Sequence, residues 1–420
     1  YTTLFRSPSQ PTGLSLSEDS KTLFVTCSGE WDLLGTIDTL KESLIDTVPV
    51  GQGACSPVLD KNGTRLFVCN QFENSLSVID LLQKKEISRI PTGREPNSSI
   101  LTTDGEYLFI ANHLPQERAD QDTVAAKIQV IRTNDLQWIN DIPLPTGSTL
   151  LKQLCLSSDG RYVIASHLLA HFQFPTTQSE RGWIGNNAFT IIRVDELAYW
   201  TTVLLDDIDR GAANPWGMTF SSDGQIFCIT HSGTDELSLI RFPELLQKIE
   251  DRQRDVHSQD SEKNHTVKTV IQDEISTDLH FLSGIRQRIR LAGKGARHVQ
   301  IADSKAFVSN YFSDDLNIVD LRETSSHSVT RVSLSPTSPS DSERLSLERR
   351  GEMLFHDANI GFQGWQSCSS CHPEGRSDGL NWDLLNDGVG NPKNTKSLLY
   401  SMQTPPSMSE GVRATADYAV

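Results

Sequence analysis

Three stretches decide the fold: Pro11 to Cys27 (PTGLSLSEDSKTLFVTC), Ala54 to Asn70 (ACSPVLDKNGTRLFVCN) and Pro96 to Asn112 (PNSSILTTDGEYLFIAN). Each reads as an alternating strand, a tight polar turn, a second apolar strand and a polar end. Further copies follow at Leu151 to His167, Pro215 to His231 and Gly295 to Tyr311. Measured between the turn residues Ser20, Gly63, Gly105, Gly160, Gly224 and Ser304, the spacings are 43, 42, 55, 64 and 80 residues. A period near 40 with strand, turn and strand in each unit is the pattern of a propeller blade. A third alternating strand, as in Ser75 to Asp80 and Leu316 to Asp320, and a fourth ending in a turn, as in Ile87 to Gly93, complete four strands per unit. A blade buries its two faces only against neighbours, so the six visible blades are expected to belong to a closed ring.

The strands LFVTC, LFVCN and LFIAN carry a resemblance to the YVTN family of β-propellers. It covers residues 8 to 334 and implies an all-β ring, of seven blades in the whole protein. One blade is accordingly expected upstream of Pro11. The growing spacing places insertions at Leu114 to Ala126, Leu168 to Asn186 and Leu245 to Ser283, where a redox partner protein or a substrate is expected on the rim. The polar run EDRQRDVHSQDSEKNH inside the last insertion reads as a solvated, charged flap.

Composition narrows the classes. The chain has 420 residues, and 38 Lys plus Arg stand against 54 Asp plus Glu, a net charge of −16 that disfavours nucleic acid. No apolar run approaches the roughly 20 residues of a membrane span. The absence of GxGxxG, GxSxG, Walker and HExxH patterns leaves nucleotide-dependent, serine-hydrolase and zincin chemistry without support. Cys27, Cys55, Cys69, Cys155 and Cys228 are scattered through the strands and read as buried thiols.

After the last blade, residues 335–343 in a Ser/Pro-rich stretch read as a linker. Ser340 and Glu343 suggest a capping box for a helix running towards Phe355, opening a small, mostly α domain over 344–420. Its motif is Cys368-Ser369-Ser370-Cys371-His372. Two thiols one turn apart and an adjacent imidazole are the groups that a covalent haem needs. A zinc site would need two further ligands, and no Cys or His follows His372.

The segment Arg350 to Val420 resembles the first haem domain of bacterial di-haem cytochrome c peroxidases and their methylamine-utilisation relatives. The matching pieces are Gly351-Glu352-Met353-Leu354-Phe355, Ser367 to His372, Asp378-Gly379, Asn394-Thr395, Gly411 and Arg413. The resemblance implies that Cys368 and Cys371 hold the haem, that His372 is the proximal iron ligand, and that Asn394 helps to bind calcium. It also implies a second haem beyond Val420, the chain being expected to be a piece of a longer one. The tryptophan that the family places between its haems falls here at Ser409.

Arg376, four residues past His372, is a candidate partner for a haem propionate, or a surface arginine. The sixth iron position is open to peroxide or filled by Met402 or Met408. On the propeller, His167 and His231 lie seven residues after their turn glycines and His113 eight after its own. If these strands are innermost, the three histidines converge on the axis as a site for copper, zinc or another haem; otherwise they are polar strand ends. The function expected is that of a periplasmic or otherwise extracytoplasmic, peroxidase-like haem c oxidoreductase. An electron-transfer cytochrome with a docking propeller, and a binding module with a vestigial cytochrome, are the alternatives.

Overall fold

A computed structural model describes residues 10–173, 184–260, 274–322, 327–334, 345–383, 390–407 and 413–415. Six antiparallel sheets of four strands follow in chain order, spanning 11–49, 54–91, 96–143, 148–204, 215–290 and 296–333. Each is a meander, and the first strands of successive sheets pack against one another, so these strands are innermost. The six copies legible in the sequence are therefore six blades.

The turn between the first two strands has the same chemistry in blades one, three, four and five. In blade four, Ser157 Oγ donates to Asp159 at 2.6 Å and the Asp159 carboxylate accepts the Arg161 N–H at 3.1 Å. Blades three and five repeat this through Thr102 with Asp104 and Ser221 with Asp223. The residue closing the turn is left-handed, Gly160 with φ +71° for example, where glycine carries no Cβ penalty. In blade six that residue is Asp303, one place before the Ser304 that the spacing marks.

Apolar faces of neighbouring sheets make the core. Phe24, Leu34 and Val48 of blade one pack on Ala54, Leu66 and Val68 of blade two. Phe109, Ile128 and Val130 of blade three meet Leu151, Leu154 and Val163 of blade four. Among the described residues the innermost strands pack from blade one through blade six, and no comparable contact joins six to one. Burial records this opening. Ladder register aligns Leu14 with Ser99, Leu154, Met218 and Val299. These four are buried, whereas Leu14 is 65% exposed. The closed ring of the sequence reading is thus an arc of six blades among the described residues, without a counterpart of the implied seventh.

The third insertion corrects another expectation. Residues Phe242–Asp260 form a 19-residue helix, α1, rather than a solvated flap. Phe242, Leu245 and Ile249, spaced for one helical face, are buried in a cluster with Tyr162, Trp200 and Phe281. Trp200 Nε1 donates to Gln253 at 3.0 Å, and Arg252 pairs with Asp278 at 2.9 Å. Glu250, Asp251, Arg254 and Asp255 of the run are exposed on a packed helix. Residues 261–273 of that insertion lie outside the described residues.

Beyond the propeller, α2 (Leu347–His356) is capped by Ser346, whose side chain accepts the Arg349 N–H at 3.2 Å. Ser340, the cap expected from sequence, lies outside the described residues. The rest of this segment is less helical than expected. It holds the four-residue helix α3 (Cys368–Cys371), short 3-10 turns and a ladder of Asn381–Trp382 with Lys393–Asn394. Among the described residues no helix is long and apolar enough to cross a membrane.

The graded burial yields a stability prediction. Leu154→Ala should cost about 2–5 kcal/mol in urea unfolding, the range for a buried leucine. Leu14→Ala at the equivalent place in blade one should cost under about 1 kcal/mol. Equal losses would mean that the Leu14 face is covered.

Candidate functional site

The CxxCH segment lies across the mouth of the propeller, and blades three to six hold it. Blade four is built for this, since its first three strands each run to nine residues and reach beyond their neighbours. The described parts of the first two insertions supply Leu114, Val124 and Phe172. Together with Leu150, Leu168 and Ala170 they bury Leu380 and Trp382 and pack Cys371. These parts therefore wall the C-terminal segment instead of offering a free rim. Gly211 permits the closest backbone approach, because a Cβ there would stand 2.3 Å from Trp365 Cα.

Polar contacts complete the seat. Lys152, on the innermost strand of blade four, is 3.2 Å from Glu374, and His113 of blade three is 3.6 Å from the same carboxylate. Burial raises the Glu374 pKa, but Lys152 and His113 outweigh it and hold the group well below its ordinary value. Lys294 bridges Asp235 at 2.7 Å and Asp357 at 3.2 Å. Arg376 gives both Nη atoms to Glu95 of blade three, each at 2.8 Å. The propionate partner expected of Arg376 is thus replaced by a propeller carboxylate, with Phe72 stacked 4.9 Å from the guanidinium.

Cys368 and Cys371 begin and end α3 as free thiols, the first exposed and the second half-buried. Burial pushes the Cys371 thiol up, with Asp378 adding to the effect. Asp378 is itself pushed up to about 6 by burial, although Leu380 N–H and Trp382 Nε1 donate to it at 3.0 and 2.8 Å. His372 Nδ1 is 3.0 Å from the Lys396 carbonyl and 3.3 Å from that of Arg376. Both partners only accept, so Nδ1 carries the proton and Nε2 keeps its lone pair. Leu398 N–H bonds Gly375 O at 2.8 Å, and the exposed Leu399 lies against the same glycine. Two thiols one turn apart, an imidazole with a free Nε2 and neighbouring apolar side chains fit a covalently attached haem.

The remaining candidates are spent elsewhere. Asn394 Oδ1 accepts from Ser377 at 3.0 Å and its Nδ2 donates to Leu380 O at 3.2 Å, so its amide staples the short ladder. His113 Nδ1 meets Leu151 O at 2.9 Å. His167 engages Leu168 O and Thr190, and His231 engages Ala212 O and Ser238. The structure does not gather these three histidines into a ligand set, and among the described residues no three His, Cys, Asp or Glu side chains could hold a metal. All three are buried on or just after second strands, one removed from the innermost ones; His167 and His231 are bonded within the propeller, and His113 also reaches Glu374. Met408 lies outside the described residues. Sequence reasoning missed Lys152, Glu95, Leu150 and Asn214. The last three share one repeat position, and a comparison of that position among copies would have singled them out.

Fold and site together define a six-bladed β-propeller with a thiol and imidazole segment bound across its mouth. Among solved structures the chain is similar to one from Kuenenia stuttgartiensis hydrazine synthase, with a TM-score of 0.50 at 18% identity. That match covers 76% of this chain and 97% of the other, and it bears on the fold alone. Among curated proteins it is similar to hydrazine synthase subunit gamma of Kuenenia stuttgartiensis, 43% identical over 78 residues. The aligned part is 18% of this chain and 22% of that relative, so the chain spans about a fifth of the relative's length. No family model matches.

His167 yields a pH prediction. Burial lowers its pKa from 6.5 to about 4. The unfolded chain takes up this proton as pH falls below 6.5 while the folded one resists, so stability declines from pH 6.5 to about 4. His167→Gln should remove up to about 3 kcal/mol of that decline. An unaltered acid profile, or a melting point raised by added zinc in the parent only, would contradict the buried neutral histidine.

Proposed function

We propose that this chain is a subunit of a haem c oxidoreductase complex working outside the cytoplasm. In this reading Cys368 and Cys371 form the thioether links and His372 Nε2 is the iron ligand. The observation that carries it is the tether of His372 Nδ1 to the Lys396 carbonyl beside two free thiols on one helical turn. The 78-residue likeness to hydrazine synthase subunit gamma supports it by naming a synthase built of subunits. The location follows from the chemistry, since haem c is attached outside the cytoplasm.

When bound, the haem supplies an iron that changes oxidation state and coordinates a small oxidant. This chain's residues fix and shield it. The Lys396 carbonyl sets the tautomer and direction of His372 and strengthens it as a donor. Leu380, Trp382 and blade four keep water from the Cys371 side. The propeller presents the site to a partner subunit or substrate, and the reaction is peroxidase-like. A non-enzymatic electron carrier is the second reading, favoured by Met402, 65% exposed on the stretch that passes His372.

The protein matured with covalent haem separates these readings through its visible spectrum, before and after one equivalent of hydrogen peroxide. A rapid Soret shift is expected, and Met402→Ala should leave the starting spectrum unaltered. An unmoved spectrum, together with an altered one in Met402→Ala, would replace the peroxidase-like reading by the carrier. His372→Ala should keep the haem attached and the sheets folded by circular dichroism while losing the native ferrous spectrum. A wild-type ferrous spectrum in that variant would refute the ligand assignment.

A further inference from the structure

One repeat position at the start of the innermost strand is left-handed in all six blades: Gln10, Gly53, Glu95, Asn214 and Gly295 just before it, and Leu150 inside the longer strand of blade four, with φ from +56° to +75°. Glycine occupies such a position most readily, and any other side chain there costs on the order of 1 kcal/mol. In three consecutive blades that costlier choice coincides with contact to the CxxCH segment. Glu95 accepts both Nη atoms of Arg376, whose carbonyl lies 3.3 Å from His372 Nδ1. Leu150 belongs to the apolar cluster on which Cys371 packs. Asn214 Nδ2 donates to Ser367 Oγ at 2.9 Å and its Oδ1 accepts from Ser370 Oγ at 3.0 Å, so it grips the residue before each cysteine.

We propose that Glu95, Leu150 and Asn214 form a cradle in which the propeller positions Cys368, Cys371 and His372 for the haem. They are positioning residues, because each acts through the segment. The assignment rests on the haem reading of the site. Glu95 is held ready by its own surroundings: Gln71 Nε2 donates to it at 3.3 Å, and its main-chain N–H bonds Asn74 Oδ1 at 2.8 Å. A carboxylate fixed before the segment docks loses little further freedom on taking the guanidinium, which favours one orientation of the 372–376 turn.

The test compares the full chain, matured with haem, with Glu95→Gly, Asn214→Gly and the double variant. Glycine relieves the left-handed backbone, so sheet content and thermal unfolding should stay close to the parent. The haem midpoint potential and ferric spectrum should shift in each single variant, and the double variant should lose covalent haem per chain. Glu95→Gln keeps one acceptor for Arg376 and should restore part of the shift. Gln10→Gly, the same backbone change in blade one, should alter none of these readouts. Parent-like potential, spectrum and haem content in the double variant would overturn the cradle, as would an equal shift in Gln10→Gly. A parent without covalent haem on Cys368 and Cys371 would instead overturn the haem reading, and the cradle with it.

Discussion

Each four-stranded sheet has two apolar faces and can bury them only against another sheet, and the rest of the molecule follows from that constraint. It orders the blades by sequence, because each is tied to the next by a short connection. It puts the first strands inside, where wedge-shaped sheets come closest. Phe24, Phe67 and Phe109, each buried four residues after its turn and packed against the next blade, show one packing solution repeated along the arc. Where a neighbour is missing the same residues stay uncovered, and Leu14 records this in blade one.

Such packing leaves the ends of the innermost strands for polar work. Their backbone is fixed by the sheet, so side chains there are aimed at little entropic cost. The CxxCH segment exploits this. It is too short of helix and apolar area to bury itself, and it borrows blade four for an apolar wall and blades three to six for ion pairs and hydrogen bonds. Charge pairs such as Arg376 with Glu95 contribute more to placement than to net stability, because desolvation offsets much of their attraction.

The repeat was legible because its signal is local and recurs six times, and CxxCH because its spacing is covalent chemistry written in five residues. What the sequence hid was long-range. Arg376 looked free for a propionate, since its partner Glu95 is 281 positions away. The apolar stripe of α1 vanished beneath a polar run, because Phe242, Leu245 and Ile249 precede most of its charges. His113, His167 and His231 lie at nearly the same place in the repeat, yet each is buried with partners of its own, His113 with Glu374 of the C-terminal segment among them. A shared offset fixes a place in the sheet but not whether that place opens on the axis.

Register between segment and propeller has a physical basis of its own. The chain carries a net charge of −16, yet the seat presents Lys152 and Lys294 to the acidic Glu374 and Asp357. The acidic Glu95 in turn receives the basic Arg376. Rotating the segment by one blade would set Arg376 against Leu150 and Glu374 against Trp216, the equivalent of Lys152. Ser367 and Ser370 would then face Gly295, which has no side chain to grip them. That alternative leaves buried charges and hydroxyls unpaired, at a cost of several kcal/mol in total. One seating therefore pairs Glu374, Asp357, Arg376, Ser367 and Ser370, and it holds His372 with its free nitrogen in a single direction.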